Sequence, residues 1–144
     1  MRIGTGILLV VLLGSWGCVS AITDPLLDRR GQFEDTQTKF TQYIRWGKFE
    51  EAARFIDPEM REEFMTCAPE FSDLRFSGYE INEVAIQKGL KSASVDVRYT
   101  AYRLSLPVER SVALTEEWTR DETTGVWTVK LDIAKLRDTM YGAP

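Results

Sequence analysis

The chain has 144 residues, of which 44% are hydrophobic and 28% charged, and these values are typical of one globular domain. A net charge of −4 argues against a nucleic-acid partner, which would normally meet a basic face. The sequence has no histidine, so the commonest general base and the commonest metal ligand are both missing. Two cysteines are too few for a disulfide framework. We therefore expect no metal and no other cofactor.

The chain begins with a short apolar segment that follows a basic residue. Arg2 precedes the run Ile7 to Leu13, and even Ile3 to Cys18 is shorter than the roughly 20 residues that a membrane-spanning helix needs. A basic start, a brief apolar run and small residues before a cleavage position are typical of a secretory signal. Those small residues are Gly14, Ser15 and Gly17. The segment is therefore predicted to be a signal peptide over residues 1–17.

The end of this segment resembles the lipobox of bacterial lipoproteins, in which the chain is cut just before a cysteine that becomes lipidated. Gly17 and Cys18 match that pattern. Ser15 stands where leucine is usual, and Trp16 stands where a small residue is usual. An ordinary signal peptide that happens to contain a cysteine and an uncut membrane anchor are the two alternatives.

The lipobox resemblance implies where the protein resides. Cys18 would carry the lipid anchor in the membrane, and residues 18–34 would form the lipidated start of the chain and a tether. Val19 follows the cysteine, where an aspartate is associated with retention in the inner membrane. The resemblance therefore favours the bacterial cell envelope, with the anchor in the outer membrane and the domain facing the periplasm.

Helical periodicity begins at Asp35 and is predicted to end at Gly47. The apolar positions of this first helix are Phe40, Tyr43 and Ile44, with Phe33 and Gln37 extending the row backwards. A second helix is predicted in the segment KFEEAARFID, residues 48–57. A third is predicted to begin at Asp57-Pro58, with Phe64 and Met65 as its apolar face.

The apolar period then changes from helical to alternating, which indicates strands. Tyr79 and Ile81 alternate out of phase with Val84 and Ile86, so we expect a bulge near Asn82-Glu83. Three further alternating rows follow, at residues 95–101, 112–118 and 127–131. The predicted fold class is α+β, with two to three helices packed on a curved four-stranded antiparallel meander over residues 35–133. Residues 134–144 are predicted to be a C-terminal tail, either a short helix or disordered.

The strand registers follow from the rule that directly opposed residues share a face of the sheet. For the last hairpin, this rule predicts Trp118 opposite Trp127, with a four-residue loop from Asp121 to Thr124. For the preceding hairpin two registers compete, with Tyr99 opposite either Leu114 or Glu116. The second is preferred, because it replaces a clash of Asp96 with Glu117 by a favourable pair of Arg98 with Glu117.

The stretch from Val95 to Leu131, with its Trp118 and Trp127 hairpin, resembles the ending of domains in the nuclear transport factor two-like (SnoaL-like) superfamily. Together with the preceding helices and bent strand, the resemblance spans Asp35 to Leu131. It implies a cone with a candidate pocket at its open end. Members include enzymes, binding modules and assembly domains, so this fold does not choose a function. A competing resemblance of residues 45–57 to a tetratricopeptide repeat covers one copy, and that architecture needs several.

Glu116 is the sharpest candidate for a functional residue, because it lies in an apolar row with Leu114 and Trp118. A carboxylate there is costly unless it is paired or lies near an opening. One hypothesis is a ligand-contacting carboxylate in the cone, with Tyr99 as its neighbour. The alternatives are a bulge that turns the side chain to water, or a pair with a nearby arginine. Tyr102, Arg103 and Trp118 complete the candidate pocket.

The leading functional hypothesis is a non-enzymatic envelope lipoprotein that binds a protein partner or supports an envelope assembly. Without histidine no acid-base or nucleophilic constellation is evident, and Cys67 is expected to be a buried small hydrophobe. The alternative is a pocket that holds a small apolar ligand or lipid, or that performs acid-base chemistry with carboxylate and tyrosine alone. A cone filled by side chains would favour the first hypothesis.

Overall fold

The structure is a computed structural model that describes residues 25–142. The predicted signal peptide, Cys18 and the start of the predicted tether lie outside the described residues. Within the described range, no helix combines the length and the apolar character that a bilayer crossing requires.

Helices and strands are segregated along the chain. The first part comprises α1 (Pro25–Arg45), α2 (Phe49–Ala52), α3 (Arg61–Cys67) and a 3₁₀ helix (Ala68–Asp73). The strands are β1 (Leu74–Ile86), β2 (Ser92–Arg103), β3 (Leu106–Arg120) and β4 (Trp127–Lys130), and a final helix α4 spans Ile133–Tyr141. The sheet order is β1-β2-β3-β4 with antiparallel neighbours. The predicted α+β class with a four-stranded meander is confirmed.

Helix α1 begins at Pro25, whereas periodicity placed its start at Asp35. The residues expected to form the end of the tether are therefore helical. Proline fits the first turn of a helix, where its missing N–H has no partner to lose. Phe33 lies in this added portion and is buried, so packing against the sheet extends the helix toward its amino terminus.

The second and third helices are shorter than predicted. Helix α2 ends at Ala52, because the chain turns and Ile56 forms a parallel bridge with Val129 of β4. This bridge links the helical layer to the sheet through backbone hydrogen bonds on both sides. Helix α3 begins only at Arg61, and Met65, predicted to be on the apolar face, is 38% exposed.

The bulge predicted in β1 is confirmed, since the pairing of β1 with β2 shifts between Ile81 and Glu83. The shift restores the alternation, so Tyr79 and Ile81 share a face with Val84. A second shift, between Phe76 and Gly78, was not predicted.

The register predicted for the β2–β3 hairpin is wrong in both alternatives. Tyr99 lies opposite Val112, and Glu116 lies opposite Val95. The cause is a tight turn at Leu104 and Ser105 that leaves Pro107 inside β3. Consequently the Arg98–Glu117 pair does not form, and Asp96 accepts a hydrogen bond from the Thr115 hydroxyl at 2.7 Å.

The last hairpin is shifted by two residues from its predicted register, with Trp118 opposite Val129. Its loop is longer because the Asp121 side chain organises it. The Oδ1 atom of Asp121 accepts hydrogen bonds from the backbone N–H groups of Thr123 and Thr124. Gly125 closes the loop with a φ of +74°, a conformation that glycine adopts at little cost.

The predicted tail is an ordered helix that packs on the rest of the domain. Ile133, Leu136 and Met140 of α4 are buried at helical spacing. The Tyr141 hydroxyl lies 2.6 Å from Asp73 Oδ1 and 2.7 Å from the Glu70 carbonyl oxygen. Hydrogen bonds from Tyr141 and Ser105 hold the pKa of the Asp73 carboxyl below its ordinary value.

Replacing Tyr141 with phenylalanine is expected to loosen α4, because the hydroxyl joins the end of this helix to Asp73. We expect faster hydrogen exchange at the α4 amides and a rise in the pKa of Asp73 toward its ordinary value. Both quantities are accessible by NMR. Tyr102→Phe, at another partly buried tyrosine, is the matched control, and equal effects in the two variants would contradict the proposed link.

Candidate functional site

Aromatic side chains fill the space between α1 and the inner face of the sheet. Phe33 and Phe40 of α1 meet Trp118 of β3 edge-to-face, with ring centroids 5.9 and 5.5 Å apart. Phe33 also lies 4.9 Å from the ring of Trp127 on β4. All four side chains are buried. The interior of the cone is thus occupied by its own residues around this cluster.

Glu116 lies within this interior and has no exposed surface. Strand β3 points its side chain inward because Glu116 alternates in phase with the buried Leu114 and Trp118. The pairing of β3 with β2 is regular from Ser92 to Ala101. The bulge that would have turned the Glu116 side chain to water is therefore absent. Among residues 25–142 Glu116 also has no ion pair, so the expected arginine partner is wrong as well.

Three uncharged donors satisfy the Glu116 carboxylate. The Tyr99 hydroxyl donates to Oε1 at 3.1 Å, and the indole Nε1–H of Trp118 donates to Oε2 at 3.1 Å. The side-chain amide of Gln37 on α1 donates to Oε2 at 3.3 Å. Both oxygens are therefore engaged by residues of the domain itself.

Helix α1 adds a second polar residue behind this carboxylate. Gln37 Nε2 also lies 2.9 Å from Thr41 Oγ1, and both side chains are buried. Sequence reasoning missed this pair. Its signal is present, since Gln37 and Thr41 are one helical turn apart in a row otherwise made of Phe33, Phe40 and Ile44.

Burial dominates the electrostatics of the site. It raises the pKa of Glu116 to about 7, and the hydrogen bonds from Trp118, Gln37 and Tyr99 only partly oppose that rise. Burial and the adjacent carboxylate raise the pKa of Tyr99 well above its ordinary value. Tyr99 therefore remains a protonated donor at neutral pH, while Glu116 takes up a proton near neutrality.

The five candidate pocket residues do not all lie in one place. Glu116, Tyr99 and Trp118 lie together in the interior. Arg103 instead pairs with Asp73, with Nε 3.4 Å from Oδ2. Tyr102 lines a groove elsewhere on the domain. The arrangement predicted around one opening is therefore not what the structure shows.

No metal centre is evident in the described part of the chain, where no three histidine, cysteine, aspartate or glutamate side chains are grouped suitably. Cys67 is free and 4% exposed, which agrees with the expected buried small hydrophobe. Burial raises the pKa of its thiol, so the reactive thiolate is disfavoured.

Comparison with known proteins informs the fold alone. No family model matches the sequence, and no curated protein is significantly similar to it. A solved ketosteroid isomerase-like protein from Erwinia carotovora atroseptica superimposes with a TM-score of 0.52, at 18% identity over 67% of this chain and 86% of that chain. The chain therefore has an α+β fold similar to that of this solved protein. This agrees with the fold implied by the nuclear transport factor two-like resemblance.

A second solved structure has a similar architecture. It is a SEC-C motif containing protein from Rhodopseudomonas palustris, with a TM-score of 0.51 and 15% identity over 64% of this chain and 70% of that chain. Since these neighbours carry unrelated names, the shared fold does not choose an activity.

Proposed function

We propose that this protein is a non-enzymatic lipoprotein of the bacterial envelope whose domain binds a protein partner or supports an assembly. The observation that carries the proposal is the occupied interior, where the one buried carboxylate of residues 25–142 already accepts three internal hydrogen bonds. A catalytic or ligand-binding acid would need room for a reactant beside its carboxyl group, whereas the Glu116 side chain is fully buried. Binding therefore falls to the outer surface of the domain.

The proposed anchor is Cys18, at the outer membrane with the domain in the periplasm. Two or more acyl chains hold a protein stably on a membrane, at about 0.8 kcal/mol per buried methylene. Helix α1 begins at Pro25, so only residues 19–24 would separate the lipid from the folded domain. Such a short tether would keep the domain close to the bilayer surface.

Replacing Cys18 with serine is expected to abolish lipidation and block maturation, because the thiol is the proposed acceptor of the lipid. Intact-mass analysis and partition between membrane and soluble fractions measure both effects. Cys67→Ser is the matched control, since that thiol is buried in the domain. Normal processing of the Cys18→Ser variant, or a native protein with an unmodified thiol at Cys18, would contradict the anchor.

The partner is tested by photo-crosslinking in intact cells. A photoreactive amino acid is placed in turn at exposed positions around the domain, followed by gentle solubilisation and purification. We expect a discrete crosslinked protein from at least one face. If no position yields a crosslinked protein, the binding or assembly role is wrong.

The second candidate function is a site for a small apolar ligand or lipid, or carboxylate and tyrosine acid-base chemistry. The inward-facing pair of Glu116 and Tyr99, joined by a 3.1 Å hydrogen bond, is the observation that favours it. Glu116→Gln tests this candidate, because unchanged affinity for a bound ligand would show that Glu116 is not part of the ligand site.

A further inference from the structure

The surface of the domain has a concave feature that Glu116 does not line. It is an open groove of ≈ 850 Å³ between the end of α1, the segment from α2 to the 3₁₀ helix, and the beginning of β1. Its buried apolar lining residues are Phe49, Phe71 and Leu74. Two large apolar side chains that also line it remain in solvent, Trp46 at 67% exposed and Met65 at 38% exposed.

The groove has the composition of a protein-binding surface. Tryptophan, tyrosine, phenylalanine, methionine and arginine are enriched at interfaces, and tryptophan and arginine dominate their binding energy. The lining residues Trp46, Met65, Phe76, Arg45 and Arg75 all belong to these types. The Arg45 guanidinium lies over the Trp46 ring, 4.8 Å from its centroid, and this stack offers a flat surface at the groove.

The charged residues of the groove lining carry a small net positive charge. Within residues 25–142, Arg45 and Arg75 donate hydrogen bonds only to backbone carbonyl oxygens, so no carboxylate of that range neutralises their charges. Lys48 has no ion pair among residues 25–142. Two carboxylates, Glu50 and Glu51, also line the groove, which leaves three cations against two anions. An apolar ligand with adjacent negative charge complements this arrangement.

The leader of the same chain does not reach the groove in the mature protein, if the anchor is at Cys18. Helix α1 has 21 residues and so places Arg45 about 30 Å from Pro25. Residues 19–24 extend to about 20 Å at most. The occupant therefore comes from another molecule, and the groove lies at the end of α1 that is far from the tether.

We propose that this groove binds an extended peptide segment of a protein partner, in which a large apolar side chain is flanked by carboxylates. The apolar side chain lies against Phe49 and Phe71 beside Trp46, and the carboxylates meet the Arg45 and Arg75 side. This inference rests on the proposed function, because it names the surface and the partner chemistry for the same binding role.

The test uses two fluorescein-labelled peptides and the membrane-extracted full-length protein. One peptide carries a phenylalanine flanked by aspartates, and its twin has lysines in place of the aspartates. Fluorescence anisotropy should show saturable binding of the acidic peptide and at least tenfold weaker binding of the basic twin. Trp46→Ala should weaken acidic-peptide binding about tenfold. Lys48→Glu should also weaken acidic-peptide binding, and this loss of affinity should be larger at low salt than at high salt.

Matched controls lie outside the groove lining, where Val126→Ala and Lys39→Glu alter an exposed apolar residue and an exposed lysine and should leave binding unchanged. Absence of acidic-peptide binding, or binding that ignores Trp46→Ala, overturns the inference. So does Trp46-dependent binding of a dansyl-labelled fatty acid without binding of either peptide.

Photo-crosslinking in cells separates this inference from the proposed function. A partner captured from position 46 and not from position 126 supports the groove. A partner captured from position 126 and not from 46 overturns the groove and leaves the binding role standing. Capture from no position overturns the binding role itself.

Discussion

The wild-type protein should lose about 3 kcal/mol of stability between pH 4.5 and 7, and replacing Glu116 with glutamine should abolish that loss. The folded-state pKa of Glu116 is about 7, against an ordinary value of 4.5. Between these values the folded state holds more protons than the unfolded state, so the free energy of unfolding falls as pH rises. The stabilisation is complete below the ordinary pKa and is lost as pH rises through the folded-state pKa.

Urea unfolding at pH 5 and pH 8 measures this effect. Wild type should be markedly less stable at pH 8 than at pH 5, whereas the Glu116→Gln variant should show little difference. Glu117→Gln is the matched control, since its side chain is exposed and lies on the opposite face of β3. Asp73 and Asp121 have lowered pKa values, so their opposite pH dependence falls at lower pH. A pH slope that survives Glu116→Gln would contradict the assignment.

Replacing Trp118 with phenylalanine should cost about 1.5–3 kcal/mol more than the same replacement of Trp127, when both are measured at pH 8. Both indoles are buried, so the loss of packing is similar in the two variants. The Trp118 Nε1–H donates to the Glu116 carboxylate, whereas the buried Nε1 of Trp127 has no hydrogen-bond partner among the described residues. The difference therefore reports the loss of one hydrogen bond to a buried charge together with the relief of the unpaired N–H of Trp127.

Repeating the comparison of the Trp118 and Trp127 variants at pH 5 provides a control. At pH 5 Glu116 is protonated, so the hydrogen bond is no longer to a charged acceptor and the difference between the variants should shrink. Losing the donor should also raise the pKa of Glu116 further, which NMR titration would detect. Equal destabilisation of the two variants at pH 8 would show that the indole does not stabilise the carboxylate.

Alternation of apolar residues was sufficient to predict the class of the fold and the bulge in β1. The out-of-phase pairs Tyr79–Ile81 and Val84–Ile86 can share a face only if one residue is inserted between them. The registers of the two hairpins were beyond this reasoning. They depend on the Leu104-Ser105 turn and on hydrogen bonds of the Asp121 side chain, which alternation does not encode.

The candidate site was predicted in part, and for a reason that differs from the actual geometry. The preferred register placed Tyr99 directly opposite Glu116, and the two side chains do touch. In the structure Val95 is opposite Glu116, and the Tyr99 hydroxyl reaches the carboxylate from further along β2. Gln37 and Thr41 could not be assigned to the site, because helical periodicity does not show how α1 is positioned over the sheet.

The outer edge of β1 determines whether neighbouring copies of the protein could pair strands when they are tethered side by side. The outer strand of an open sheet is a template for adding a neighbour's strand, and tethering to one surface raises the local concentration of such neighbours. Two register shifts interrupt this edge, and Arg45 donates a hydrogen bond to the carbonyl oxygen of Ser77 at the first of them. These interruptions disfavour the addition of a strand from a neighbouring copy at this edge of the sheet.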